Sequence, residues 1–215
     1  MTEPTQEQVD NQKFEAAALL LLLPLAHSAW LKYAPRTSKK TPSEAALIAT
    51  LNGLKAEGRA LSVQLLKKKI TLDEWRYRMD ELTNIVYVLS VAAYFGTFEL
   101  SADDLEIASR KWRSQAAYLQ NFYDGAAAGE QKLNGGVINR VLLYVAAGWS
   151  ILQNIHSITA KLTGNTEERR VLGAADHCPD CIEYAEMDWQ PIGTLPDPGV
   201  GSVCQSNCHC HKEFR

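Results

Sequence analysis

The chain has 215 residues, 46% of them hydrophobic and 22% charged, an ordinary globular composition with room for one domain and a small appendage. Its formal net charge of −3 argues against a dedicated nucleic-acid binder, a class marked by a strong basic excess. All five cysteines lie at or beyond position 178. An odd, clustered set points to one local site in a reducing compartment, not to staples distributed over the whole fold.

Residues 1–12 are polar and aperiodic and read as a flexible arm. The next segment, 16–26, is an unbroken apolar run with five leucines at 19–23. It is shorter than the ~20 residues a spanning helix needs. Glu3, Glu7 and Asp10 precede it, where a secretory leader would be basic. The run therefore reads as a helix buried in the protein or in an assembly interface, with no stable membrane anchor. A first helix is expected from about 12 to 33, kinked at Pro24 by the missing backbone donor. Residues 34–40, with Pro35, Lys39 and Lys40, read as a linker.

Thr41-Pro42-Ser43-Glu44 reads as a helix start, with Thr41 as cap, Pro42 in the first turn and Glu44 closing a capping box. Leu47, Leu51, Leu54, Leu61 and Leu65 then share a face, and Lys67, Lys68 and Lys69 suit the helix end. The triple lysine reads as a solvated terminus, with a phosphate-binding patch as the lesser reading. Thr71 and Glu74 repeat the capping pattern, and Trp75, Met79, Leu82, Val86 and Leu89 keep helical spacing up to Gly96. Ser101 opens another helix through Leu105, Ala108, Trp112, Ala116 and Leu119. A loop is expected over 125–136. A long helix follows over 137–162, stopped by Gly164 and Asn165. Trp112, Trp149 and Tyr118 read as core residues, and no continuous strand pattern precedes residue 165. The fold class is mainly α: a helical domain over 13–165 and a Cys-rich, zinc-stapled module of loops and short strands over 166–215.

That last segment is rich in Pro and Gly and poor in apolar residues, and a piece of that size needs a metal, disulfides or docking to fold. Trp189 and residues 192–196 read as its apolar docking plug. Cys178-Pro179-Asp180-Cys181 lets two thiolates reach one ion from a tight turn, and Cys204, Cys208 and Cys210 supply the other half. Zinc takes four Cys or His ligands in a tetrahedron, so one structural zinc on four of the five cysteines is expected. Cys178 and Cys181 are the firmest pair, then Cys204 and Cys208, with Cys210 open as well. His177, His209 and His211 read as neighbours of the site or solvent groups more than as ligands. Disulfides and a catalytic zinc with an open position remain as rival readings. Glu183, Glu186 and Asp188 lie nearby in sequence but form no recognised catalytic motif, so no enzyme activity is expected.

The helical body carries Trp75-Arg-Tyr-Arg-Met79, Tyr118-Leu119-Gln-Asn-Phe122-Tyr123, and Asn139-Arg140 with Tyr144. It leads into His177-Cys-Pro-Asp-Cys181, Trp189-Gln-Pro-Ile-Gly-Thr-Leu-Pro196 and Asn207-Cys208-His209-Cys210. This order resembles the tailed-phage head morphogenesis, or minor capsid, proteins similar to protein F of phage Mu. The likeness covers most of the chain and is most specific over 172–211. It implies a structural protein of the virion head, at the portal vertex, that assembles in the host cytoplasm. Its partners would be portal and major capsid proteins, with self-association in the particle. It also implies that Cys178, Cys181, Cys208 and Cys210 match the family's positions, while Cys204 stands where many members have a histidine. The rival functions are an internal head protein touching packaged DNA through Lys39, Lys40 and Lys67 to Lys69, and a zinc hydrolase acting in assembly or entry.

Overall fold

Helix formation follows the apolar spacing as far as residue 162, and the points of departure have local causes. The computed structural model describes residues 17–107, 109–174, 176–200, 202–205 and 208–215. The expected arm, and a first-helix start near residue 12, lie outside the described residues. Residues 17–20 are helical, a turn follows at Leu21 and Leu22, and α1 (Leu23–Tyr33) starts afresh with Pro24 in its first turn. A proline there removes an N–H that has no helical partner anyway. The expected kink is therefore a break just before it. Leu19 is buried, whereas Leu21 is 80% exposed, so the leucine run is only partly covered. Buried Trp30 donates its indole N–H to the Ser38 carbonyl at 2.9 Å, folding the linker back onto α1.

The helix α2 (Glu44–Leu66) is preceded by Ser43 in an extended conformation, with no side-chain cap bond. The expected box between Thr41 and Glu44 is not formed. The helix begins later than the signal implies, with Ser43 at the N-cap position, so Thr41 lies outside it. The Glu44 carboxylate instead pairs with His156 Nε2 at 2.8 Å. The remaining caps follow their sequence signals. Thr71 accepts the Glu74 N–H at the start of α3 (Leu72–Phe95), which ends on left-handed Gly96. Ser101 and Asp104 form a full capping box on α4 (Ala102–Glu106). The single helix expected from Ser101 is divided, with α5 (Ser109–Ala127) following α4. The long helix α6 (Gly136–Leu162) comes next.

Helices α2, α3 and α6 form the centre of the body, each packed on the other two. Small residues let them approach closely. A Cβ at Gly58 would lie 2.5 Å from Val141 Cγ1, and one at Gly148 would lie 2.7 Å from Val86 Cγ1. By length and composition α6 could cross a membrane, but 61% of its most apolar window is buried within the protein. It is a core helix that packs on α2, α3 and α5. Trp149 and Trp112 are half-buried against this core, while Tyr118 is 58% exposed. The expectation of a core tyrosine at 118 is therefore corrected.

The C-terminal region holds β1 (Glu167–Val171), α7 (Pro179–Glu186), β2 (Gln190–Pro191) and β3 (His211–Phe214). The strands form an antiparallel sheet in the order β2-β1-β3, with Arg169 opposite Glu213 and Arg170 opposite Lys212. Charged side chains fill the inner face of β1, since Glu168 and Arg170 are buried. Lys212 Nζ lies 3.0 Å from Glu168 Oε2 and 3.3 Å from Asp197 Oδ1, and donates to the Leu195 carbonyl at 2.7 Å. Glu168 Oε1 accepts the N–H groups of Gly193 and Leu195, both at 2.9 Å.

Docking on the body is equally polar. Gln153 Oε1 accepts the Lys212 N–H at 3.0 Å, and Lys111 Nζ meets Asp197 Oδ2 at 3.1 Å. The expected apolar plug is thus corrected in part. Leu195 is buried, but Trp189 lies under the guanidinium groups of Arg169 and Arg215, at 4.8 and 4.4 Å. Breaking a buried ion pair by removing one partner leaves an uncompensated charge and costs about 3–5 kcal/mol. Lys212→Met should lose that much in urea unfolding, and a loss below about 1 kcal/mol would show that the pair is not holding the module.

Candidate metal centre

Two backbone devices bring the thiols together. Cys178 is the extended N-cap of α7, Pro179 opens the helix, and Cys181 falls in its first turn. The C-x-x-C pair therefore straddles a helix start, where the backbone dipole favours a thiolate. The other half comes from the loop before β3, where the Gln205 N–H bonds to the Ser202 carbonyl and the Cys208 N–H to the Gln205 carbonyl. Asp180 Oδ2 accepts the Val203 N–H at 2.7 Å and ties this loop to α7. On the far side, Trp149 donates its indole N–H to the Cys210 carbonyl at 2.8 Å. Gly173 permits a close backbone crossing, because a Cβ there would sit 2.2 Å from the His209 carbonyl oxygen.

All five expected cysteines converge, and none is paired in a disulfide. Cys181 Sγ lies 3.5 Å from Cys204 Sγ and 3.9 Å from Cys208 Sγ. Zinc–sulfur bonds of ~2.3 Å at tetrahedral angles place neighbouring sulfurs about 3.8 Å apart, so these spacings are those of a metal-binding set. The thiols fall into two groups, Cys178 with Cys181 and Cys204, and Cys181 with Cys208 and Cys210; within each group the sulfurs lie within 4.8 Å of one another. Cys181 and Cys210 are buried and the other three are half-buried. His177, read from the sequence as a neighbour of the site, lies beside it, with Nδ1 3.7 Å from Cys210 Sγ. Its place directly before the C-x-x-C pair was the available signal.

The thiols are electrostatically unequal. A hydrogen bond from the Cys210 thiol pulls Cys208 down to about 5, against the effect of burial. The same contact, followed by burial, pushes Cys210 up. Burial raises Cys181 and Cys204 as well. At Cys178 burial is outweighed by hydrogen bonds from the Cys181 and Cys204 backbone N–H groups, and the net shift is downward. Cys208 is therefore the thiol drawn furthest towards the thiolate, while Cys181, Cys204 and Cys210 hold their protons more firmly than an ordinary thiol.

A cleft of about 830 Å³ opens beside the cluster, with Cys208, His209, Trp149, Tyr118, Lys55 and Arg140 among its lining residues. Glu183, Glu186 and Asp188, the nearby acids of the catalytic alternative, are all exposed on or just after α7. Searches of the chain against protein-family models, curated proteins and solved structures find no match.

Two measurements follow from this geometry. Any four of the five cysteines include at least two of the three raised thiols, so zinc binding at pH 7 should release at least two protons, and affinity should fall as pH is lowered. Calorimetry in buffers of differing ionisation enthalpy reads that number, and release of fewer than one would contradict it. Gly173→Ala forces apart a backbone crossing that has no flexible side chain to yield. It should weaken zinc binding at least roughly tenfold in chelator competition, and unchanged affinity would show the crossing to be slack.

Proposed function

We propose that this chain is a minor head protein of a tailed phage, a structural and assembly component that uses zinc to staple its C-terminal module. The observation that carries the reading is convergence. The segments that bear the family resemblance, His177 to Cys181, Trp189 to Pro196 and the cysteines after 203, fold around one sheet and one thiol cluster. Softer thiolate ligands suit zinc, which needs no redox chemistry to hold a fold together. The protein's role is binding: the helical body would meet portal or capsid subunits in the virion head after assembly in the host cytoplasm. Exposed Leu21, Leu25 and Leu31 make the N-terminal helical segment the preferred contact.

A DNA-contacting role has one observation in its favour, the exposure of Lys67, Lys68 and Lys69 at the end of α2. Salt-sensitive DNA binding that is lost on their joint replacement by Gln would raise it. The principal test replaces Leu21 and Leu25 with Glu together, in a phage that carries this gene. Incorporation into heads should drop at least about tenfold while the purified protein keeps its helical content. Normal incorporation would refute the contact, and absence of the wild-type protein from purified heads would refute the function.

A further inference from the structure

Five thiols in two groups that share one sulfur are an unusual arrangement for a single ion. A tetrahedral metal uses four donors, and one ion drawn to either group leaves two cysteines of the other beyond its needs. The inner group, Cys181, Cys208 and Cys210, has one further nitrogen donor beside it, His177, which touches Cys210 but lies outside the 4.8 Å set and closes on the ion by a side-chain movement. The 3.7 Å from Cys210 Sγ to His177 Nδ1 matches the ~3.6 Å expected between a sulfur and a nitrogen bound to one zinc at ordinary bond lengths. The more exposed group, Cys178, Cys181 and Cys204, offers three thiolates.

We propose that the cluster is a two-metal centre bridged by the Cys181 thiolate. The inner ion is held by Cys181, Cys208, Cys210 and His177, and the outer ion by Cys178, Cys181 and Cys204 with a water. The inference rests on the metal-binding reading of the site and adds His177 and a second ion to it.

Charge favours this assignment. One zinc with four thiolates leaves a net charge of −2 beside a partly buried fifth thiol, whereas two divalent ions with five thiolates leave −1. A bridging thiolate needs no new ligand chemistry, since sulfur has lone pairs for two ions. Loading releases the thiol protons to solvent and changes no oxidation state. The two positions also differ in setting. The inner ion contacts the loop whose Cys210 carbonyl is tied to Trp149 on α6. The outer one joins the start of α7 to Cys204, whose sulfur lies 3.3 Å from the Ser202 hydroxyl. The inner ion therefore binds the module to the body, and the outer ion closes the module on itself.

The test is metal content by native mass spectrometry of the full chain, reduced, loaded with zinc and passed over a chelating resin. Two zinc ions per chain are expected. One ion per chain would overturn the two-metal centre while leaving a zinc staple intact, and none would overturn both. Cys204→Ser and His177→Ala should each lower the count to one with helical circular dichroism retained, and His177→Cys should restore two. Retention of two ions by His177→Ala or by Cys204→Ser would remove that residue from the ligand set and with it the proposal. In the cobalt(II) form, a thiolate bridge couples the two spins, so the paramagnetic signal at full loading should fall below twice that at half loading. A strictly additive signal would exclude the shared sulfur.

Discussion

The C-terminal module depends on the Lys212 ammonium, a full charge buried where a small sheet would ordinarily place an apolar side chain. Such a group is tolerated only if each of its donors is met, because desolvation otherwise exceeds the Coulombic gain. The structure meets that condition. Three acceptors, Glu168 Oε2, Asp197 Oδ1 and the Leu195 carbonyl, surround an ammonium with three hydrogens. The second oxygen of Glu168 takes two backbone N–H groups from the loop after β2, and the second oxygen of Asp197 takes Lys111 from α5. One lysine thereby fixes two strands, one loop and the face of the helical body. The Lys212 backbone N–H bonds to Gln153 on α6 as well, so its main chain and side chain are held by different parts of the protein.

This anchoring reaches the thiols through the chain. Cys210 lies two residues before Lys212, and its carbonyl is held by Trp149 one turn from Gln153 on the same helix. The inner edge of the cluster is therefore positioned by the core helix before any metal binds. The outer edge, Cys178 and Cys204, rests on α7 and a turn that Asp180 ties together. The thiols thus stand on two supports of different kind, the core helix on the inner side and a local turn on the outer.

What the sequence revealed was chemistry that local pattern controls. Thr71, Ser101 and Gly96 punctuate the helices as their residue types require, and the five cysteines are recognisable from clustering alone. The failures lie where distant residues intervene. Thr41 and Glu44 have the right spacing for a capping box, but the helix starts after Ser43 and the Glu44 carboxylate is drawn off by His156. Tyr118 read as a core residue from its aromatic type, yet it lies off the stripe that ends at buried Leu119 and lines an open cleft. The strand Glu167–Val171 was illegible because alternation is normally read from apolar residues, and here the inward positions are Glu168 and Arg170. Their partners, Lys212 and the Pro196 carbonyl, are distant in sequence. The division of the cysteines into two groups, with His177 beside one of them, is likewise a product of tertiary structure.

The two halves of the protein consequently rely on different physics. The body is held by apolar burial around α2, α3 and α6, with Gly58 and Gly148 setting how closely the helices cross. That contribution is non-directional and tolerates changes of volume-conserving kind. The module is held by directional contacts, a buried ion pair and backbone acceptors around a thiol cluster, each with a narrow range of productive geometry. Apolar docking alone would permit several orientations of so small a sheet, whereas Lys212, Gln153 and Lys111 are satisfied together in one. The division separates two tasks, since the helices supply the stability and the polar seam supplies the orientation of the module on the body.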